Sequence, residues 1–164
     1  MAQTALGGNP VNTIGDLPAV GSPTPEFTLT KADLSDITAA DLAGQRVILN
    51  IFPSIDTPTC AKSVRQFNEL AGGLDNTCVV NVSADLPFAQ TRFCGSEGLS
   101  DVTNASTFRG GFGSYGMELV EGKLAGLLAR AVVVLDADGT VLHSQLVPEI
   151  AQEPDYDAVV AALS

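Results

Sequence analysis

Two nearly uninterrupted apolar runs, with a helical pattern between them, are the clearest feature of the chain. Residues 47–52 and 77–83 have no wet face, which is typical of strands covered on both sides. Between them the apolar positions step by three or four residues and predict one buried stripe on a helix of three to four turns. These positions are Cys60, Val64, Phe67, Ala71 and Leu74. A strand, a helix and a strand in this order predict a βαβ unit with parallel strands and a right-handed crossover.

The ends of this helix have recognisable signals. Pro53 ends the first strand, and a turn-rich loop leads to the helix start. Thr57 or Thr59 is predicted to cap the first turn, and Gly72-Gly73 to stop the last one. Cys60 therefore falls in the first helical turn.

The N-terminal part of the chain predicts short β elements. Residues 4–6 and 11–14 flank Gly7-Gly8-Asn9-Pro10 and predict a β-hairpin, followed by a proline-punctuated connector over 18–25. Residues 27–30 predict a short strand. Residues 35–42 predict a turn and a short helix.

The part after the βαβ unit predicts further alternation. Residues 85–94 predict a short helix that ends near Gly95, and 99–103 a short strand; 107–126 is rich in loops. The clearest hairpin signal is Asp136-Ala-Asp-Gly139 between two apolar strands, 131–135 and 140–146. A terminal helix over 155–163 completes the pattern.

The order of elements, βαβ then ββα, is that of a thioredoxin-like α/β fold. We expect a central mixed β-sheet flanked by helices, with the N-terminal β-hairpin added. The length predicts a single domain over residues 1–164, with the hairpin and connector of residues 1–25 inside it. In such a fold the helix of the first βαβ unit begins at the end of a central strand, where Cys60 stands.

Charge and composition narrow the function classes. Lys and Arg number 8 against 19 Asp and Glu, a net charge of −11, which argues against nucleic acid and anionic membranes as partners. Neither a membrane span nor a secretory signal is visible, so we predict a cytoplasmic protein. Its three cysteines are then expected to be redox-active, catalytic or buried. With no Cys-x-x-Cys and a single histidine, His143, a zinc site is disfavoured.

Cys60 is the first candidate for chemistry. Unpaired backbone N–H groups and the positive end of the helix dipole favour the thiolate, which is a nucleophile. The alternative is that Cys60 is only the first buried apolar residue of the helix.

Where a thioredoxin carries the first cysteine of its pair, this chain has Thr57. Either a partner thiol comes from elsewhere, with Cys94 a candidate, or the chemistry uses one cysteine; Cys78 is expected to be a core residue.

Several separated segments carry a resemblance to a known family. The loop Pro53-Ser-Ile-Asp-Thr57-Pro-Thr-Cys60 closely resembles the active-site loop of the peroxiredoxins, and the flanking segments narrow it to their thiol peroxidase subfamily, the atypical two-cysteine type. The resemblance spans almost the whole chain. Its further segments are 8–13 with 18–21, 85–90 with 92–94, and 124–130.

The resemblance implies roles for five residues. Cys60 resembles the peroxidatic thiolate, and Cys94 the resolving cysteine that condenses with the Cys60 sulfenic acid to an intrachain disulfide. Thr57 is implied to place its hydroxyl near the thiolate and the peroxide, and Pro53 to shield the sulfur from water. Arg130 is implied to stabilise the thiolate and the breaking O–O bond. Without the resemblance, Arg130 would be a surface charge at a strand end and Cys94 a buried helix-end residue.

A disulfide between Cys60 and Cys94 has a geometric consequence. Its Cα atoms must lie within about 7 Å. Because the two cysteines fall at the ends of different predicted helices, we expect one or both helix ends to unwind in each turnover.

The implied function is that of a thiol-dependent peroxidase for hydrogen peroxide and organic hydroperoxides. The resemblance further implies recycling by thioredoxin or a similar dithiol reductant and a homodimer as the working form. No metal, haem, flavin or nucleotide cofactor is needed, because cysteine carries the chemistry. The alternatives are a general thiol–disulfide oxidoreductase and a redox-sensing module that uses the same disulfide as a switch.

Overall fold

A seven-stranded mixed sheet forms the centre of the protein in the computed structural model, which describes residues 2–164. A separate two-stranded hairpin precedes it, and three α-helices complete the architecture of the described chain. The strands are β1 (Gln3–Leu6), β2 (Asn9–Asn12), β3 (Thr28–Lys31), β4 (Asp36–Thr38), β5 (Arg46–Ile51), β6 (Thr77–Ser83), β7 (Val102–Ser106), β8 (Ala131–Leu135) and β9 (Val141–Leu146). The helices are α1 (Pro58–Ala71), α2 (Pro87–Glu97) and α3 (Tyr156–Ala162), with 3-10 helices at Ala40–Leu42 and Gly113–Tyr115.

The predicted βαβ unit is confirmed as β5, α1 and β6. Strands β5 and β6 are parallel, and Ile48 lies opposite Val79 in the register. The sheet order is β4-β3-β7-β6-β5-β8-β9, which places this unit in the middle. Both strands are buried because helices cover one face of the sheet and the N-terminal elements cover the other.

Both predicted hairpins are present. Gly7 and Gly8 form the first turn with φ of 59° and 83°, values that suit glycine in a two-residue hairpin turn. Strands β8 and β9 form the second hairpin around residues 136–139. The terminal helix α3 also forms, and the Asp155 side chain caps it by accepting from the Ala158 N–H.

Four predicted elements differ clearly in type or extent. The second strand of the N-terminal hairpin, predicted over 11–14, is Asn9–Asn12, so the turn has two residues instead of four. The helix expected over 35–42 is β4 followed by a 3-10 turn, because Ile37 pairs with Leu29 of β3 and is buried there. Strand β7 begins three residues later than expected, at Val102. Helix α2 continues past Gly95 and ends where Gly98, with φ of 69°, caps it in the left-handed conformation.

Buried side chains divide into three apolar clusters. The largest lies on one face of the sheet, under the N-terminal elements and the 112–128 loop. On the opposite face, one cluster packs α1 and α3 on the sheet, and another joins Phe52, Val64 and Phe93 with Cys60 and Cys94. The third cluster brings the ends of α1 and α2 together. None of the helices within residues 2–164 is long and apolar enough to cross a membrane.

Candidate active site

Cys60 lies at the third position of α1, at the end of the loop that leaves strand β5. Pro58 begins the helix, where its missing N–H and its fixed φ cost nothing. The Cys60 side chain is fully buried. Its sulfur therefore stands at the positive end of a 14-residue helix, away from bulk water.

Arg130 provides a cation for this sulfur. Strands β5 and β8 pair antiparallel with Ile51 opposite Ala131, so the preceding residue lies beside the start of α1. The Arg130 Nη2 donates to Cys60 Sγ at 3.1 Å, and its Nε donates to the Ile150 carbonyl at 2.6 Å. The sequence alternative of a surface charge is wrong, because only 2% of Arg130 is exposed.

The guanidinium of Arg130 brings a buried positive charge to the Cys60 sulfur. No carboxylate within residues 2–164 lies at salt-bridge distance from its guanidinium. A buried guanidinium without an anion is costly, so this position is suited to an anionic group beside the cation. The Nη1 atom is buried and has no hydrogen-bond partner among the described residues. It is a donor available to a ligand oxygen beside the sulfur.

Thr57 and Pro53 flank Cys60 in the same loop. Pro53 is buried, and Thr57 is half-buried. The Thr57 hydroxyl donates to the Ser54 carbonyl at 2.9 Å, and the Thr59 hydroxyl donates to the Ala151 carbonyl at 3.1 Å. The predicted side-chain cap is therefore wrong: Thr57 is the N-cap residue, but its hydroxyl makes no capping bond.

Asp85 holds this loop in place, a contribution that the sequence did not reveal. It follows β6, and its carboxylate accepts from the Ser54 hydroxyl at 2.8 Å and from the Ile55 N–H at 2.7 Å. The Ser83 hydroxyl donates to the same carboxylate at 2.7 Å. An acidic residue two positions after a buried parallel strand was the available signal, because the ends of parallel strands meet at one edge of the sheet.

Cys94 lies in the last turn of α2, in the same apolar cluster as Cys60. It is 8% exposed and lines an open cavity of about 600 Å³. Burial raises the pKa of its thiol, and a hydrogen bond from Asn104 opposes that shift only in part. The Asn104 Nδ2 donates to Cys94 Sγ at 3.2 Å.

Cys78 is separated from these two cysteines by the sheet. It packs against the large cluster on the opposite face, where Val80 and Val82 of the same strand also lie. Burial raises the pKa of its thiol as well. All three thiols are free, and residues 2–164 contain no cluster of three or more His, Cys, Asp or Glu that could hold a metal ion.

Comparison with known proteins places this geometry in a family. The model of the Redoxin family matches residues 19–160. The thiol peroxidases of Mycobacterium tuberculosis and Mycobacterium bovis are each 58% identical over 164 residues, which is 99% of both chains in each comparison. These likenesses run through the whole chain.

Solved structures of peroxiredoxin-like proteins share the fold of this chain. A peroxiredoxin-like protein from Aquifex aeolicus superimposes with a TM-score of 0.93 at 41% identity, over 98% of this chain and 95% of that one. A thiol peroxidase from Chromobacterium violaceum, 22% identical, shares the fold with a TM-score of 0.90, over 98% of this chain and 94% of that one. The predicted thioredoxin-like α/β fold with an N-terminal hairpin is confirmed.

Proposed function

Because this chain belongs to the Redoxin family and, within it, to the thiol peroxidases among the peroxiredoxins, we propose a role in the reaction for each residue of its site. It is a peroxidase, whose class of activity implies a peroxide substrate and a thiol reductant. We propose that Cys60 is the peroxidatic residue, Cys94 the resolving residue, and hydrogen peroxide and organic hydroperoxides the substrates. The observation that carries the proposal is the buried hydrogen bond from Arg130 to the Cys60 sulfur.

In the first step the Cys60 thiolate attacks the terminal oxygen of the peroxide. An S–O bond forms and the O–O bond breaks, so Cys60 becomes a sulfenic acid and the leaving oxygen, once protonated, departs as water or an alcohol. Arg130 stabilises the thiolate before the attack and the negative charge on the leaving oxygen during it. Its unpaired Nη1 is the donor that supports this second role.

Thr57 and Pro53 shape the space around the sulfur. Buried Pro53 excludes water from Cys60, which favours a single oxidation step over further oxidation. The Thr57 hydroxyl, bonded to Ser54 in the free protein, must rotate to donate to an incoming oxygen. We propose that peroxide binding triggers this exchange of acceptors.

In the second step Cys94 condenses with the Cys60 sulfenic acid. The S–O bond breaks, an intrachain disulfide forms, and the thiol proton leaves with the hydroxide as water. Because Cys60 begins one helix and Cys94 lies at the end of another, we propose that local unwinding precedes this step. A dithiol reductant, thioredoxin or a similar protein, then restores both thiols.

Further features of the proposal follow the family resemblance. We propose that residues 1–164 form a single domain that acts as a homodimer in the cytoplasm without a cofactor. Nucleic acid and membranes are not expected as partners, because the net charge of −11 repels polyanions.

Rapid mixing of the reduced protein with hydrogen peroxide tests the assignment. We expect fast peroxide consumption that is lost in Cys60→Ser. In Cys94→Ser the first step should persist, and a sulfenic acid that dimedone traps should accumulate on Cys60. Cys78→Ser is the matched control and should behave as the parent protein does.

The same variants separate the alternatives. A reaction no faster than that of free cysteine would reject the peroxidase assignment of Cys60 and leave a redox-sensing role. Reduction of insulin disulfides without peroxidase activity would favour a general thiol–disulfide oxidoreductase.

A further inference from the structure

Three asparagines form a row across the middle of the sheet, and two of them are fully buried. Asn50 of β5, Asn81 of β6 and Asn104 of β7 are direct neighbours in the strand register. The Asn50 Nδ2 donates to Asn81 Oδ1 at 3.0 Å, and the Asn81 Nδ2 donates to Asn104 Oδ1 at 3.1 Å. We call these residues the asparagine ladder. The two hydrogen bonds between its members both donate in the direction from β5 towards β7.

The ladder stands where apolar residues are expected. Asn50 and Asn81 are fully buried, between β-branched neighbours such as Ile48 and Val79 on the same face. Burying amides there is costly unless hydrogen bonds compensate. A connected network restricts the groups at its two ends more than isolated bonds would. The groups bonded at the two ends of the ladder therefore show which parts of the protein the network holds in place.

One end of the ladder holds the helix of Cys60. The Asn50 Nδ2 also lies 3.3 Å from the Ser63 hydroxyl, which donates to the Cys60 carbonyl at 2.8 Å. Ser63 is fully buried. The first turn of α1 is thus tied to β5 through one hydroxyl.

The other end holds the helix of Cys94. The Asn104 Nδ2 donates to Cys94 Sγ at 3.2 Å and lies 3.5 Å from the Gln90 carbonyl, one turn earlier in α2. The Cys94 Sγ also faces Asn104 Oδ1 at 3.7 Å. One amide therefore holds both the sulfur and the backbone of the last two turns of α2.

We propose that the asparagine ladder is a positioning device that holds both cysteine helices on the sheet in the reduced enzyme and sets the cost of releasing Cys94 for disulfide formation. The inference rests on the proposed function, in which Cys94 attacks the Cys60 sulfenic acid. In that step the Cys94 sulfur is oxidised, the Cys60 sulfur is reduced, an S–S bond replaces the S–O bond, and water leaves. The Asn104 hydrogen bond to Cys94 must break first, because the sulfur leaves the sheet to reach Cys60.

The ladder is tested first in the reduced protein without peroxide. Asn104→Ala removes the contacts to α2 at a half-buried position that tolerates a smaller side chain. We expect amide hydrogen exchange in the last two turns of α2 to rise about fivefold, the factor that corresponds to one hydrogen bond of ordinary net strength. Asn81→Val breaks the ladder in its middle and should raise exchange in both α1 and α2.

The kinetic arm uses rapid mixing with hydrogen peroxide. In Asn104→Ala the peroxide-dependent formation of sulfenic acid should be unchanged, and the later, peroxide-independent formation of the disulfide should be about fivefold faster. Thr4→Val is the matched control. It removes a buried hydroxyl that donates to the Val147 and Pro148 carbonyls, contacts that involve neither α1 nor α2, and should change neither α2 exchange nor disulfide formation.

Unchanged α2 exchange in Asn104→Ala would overturn the proposal, and so would disulfide formation that is unchanged or slower. The exchange arm needs no catalysis, so it decides on the ladder even if Cys60 fails to react with peroxide. Such a failure in the parent protein would reject the proposed function instead.

Discussion

Cys60 and Cys94 share one apolar cluster, yet their electrostatic surroundings are opposite. Cys60 stands at the N-terminal, positive end of α1 and accepts a hydrogen bond from a guanidinium. Cys94 stands near the C-terminal, negative end of α2 and accepts one from a neutral amide. The first environment places positive charge beside the sulfur, whereas in the second burial raises the thiol pKa and favours the protonated form.

The comparison teaches that burial alone does not decide the reactivity of a cysteine. Both side chains are less than a tenth exposed. The charge and the helix end beside each sulfur make the difference. In the proposed reaction, Cys60 is ready before peroxide arrives, whereas Cys94 becomes reactive only after leaving its site.

Removing the Arg130 cation should have the largest effect on the difference in reactivity between Cys60 and Cys94. Arg130→Met keeps an apolar stem but takes away the charge and the donors at Cys60. We expect the second-order rate constant for hydrogen peroxide to fall roughly 100- to 1,000-fold, as for the loss of other buried donors that stabilise developing charge. Rapid-mixing kinetics measure this constant, and circular dichroism checks that the variant folds.

Arg92→Met is the control for that change. Arg92 is exposed and pairs with Asp56 of the Cys60 loop at 2.6 Å, so it is a cation near the site that does not touch the sulfur. Its rate constant should stay close to that of the parent protein. An equal loss in both variants would show that loop position, not the guanidinium at Cys60, controls the reaction.

The pH dependence of alkylation tests whether the Cys94 thiol is protonated in the folded protein. Its pKa is raised above the ordinary 9.0, so below that pH its thiolate fraction is smaller in the folded protein than in the unfolded chain. In a variant with Cys60→Ser and Cys78→Ser, iodoacetamide should modify Cys94 about tenfold faster for each pH unit between 7 and 9. The rate in urea should be higher at each pH. A plateau below pH 8 in the folded protein would contradict the prediction.

Loosening the loop should have a smaller effect. Asp85→Asn keeps the size of the side chain but weakens its bonds to Ser54 and Ile55. We expect the free energy of unfolding to fall by about 1–3 kcal/mol and the peroxide rate constant to fall about tenfold, since a loosened loop misplaces Cys60. Urea unfolding and rapid mixing measure the two effects.

The control for the loop is Asp138→Asn, in the turn between β8 and β9, where the carboxylate accepts from the Thr140 N–H. This variant should leave the peroxide rate constant unchanged. A similar loss of rate in both variants would mean that Asp85 acts through overall stability alone.

The smallest effect is expected at Cys78. Cys78→Val keeps an apolar side chain of similar volume on the far face of the sheet, so the stability cost should stay below about 1.5 kcal/mol. Both steps of the proposed reaction should keep their rates. After peroxide treatment of the parent protein, peptide mass spectrometry should find Cys60 linked to Cys94, and a link from Cys60 to Cys78 would overturn the proposed pairing.

Much of the central fold could be predicted because its signals are local. The continuous apolar runs of β5 and β6 and the 3.6-residue period of α1 each predict their own element. Strand β4 could not be found in this way. Its three residues form a strand only because β3 offers hydrogen bonds to them.

The site, like the fold, could be predicted from the sequence only in part. The helix-start position of Cys60 follows from the order of strand, loop and helix, and the family motifs suggested Arg130 as its neighbour. Asp85 and the asparagine ladder were missed, because a single polar residue in or after a strand carries no periodic signal. Their contacts depend on which strands are adjacent and in what register.

The sequence by itself determined the βαβ unit, the family, and the placement of a cysteine at a helix start, since each depends on residues close together in the chain or on whole motifs. Only the tertiary structure decided which groups surround each sulfur: a buried guanidinium from the residue before β8 at Cys60, an amide from β7 at Cys94, and a sheet between them and Cys78. Long-range strand pairing sets those distances, and interactions of a charge or an amide with sulfur act only at short range.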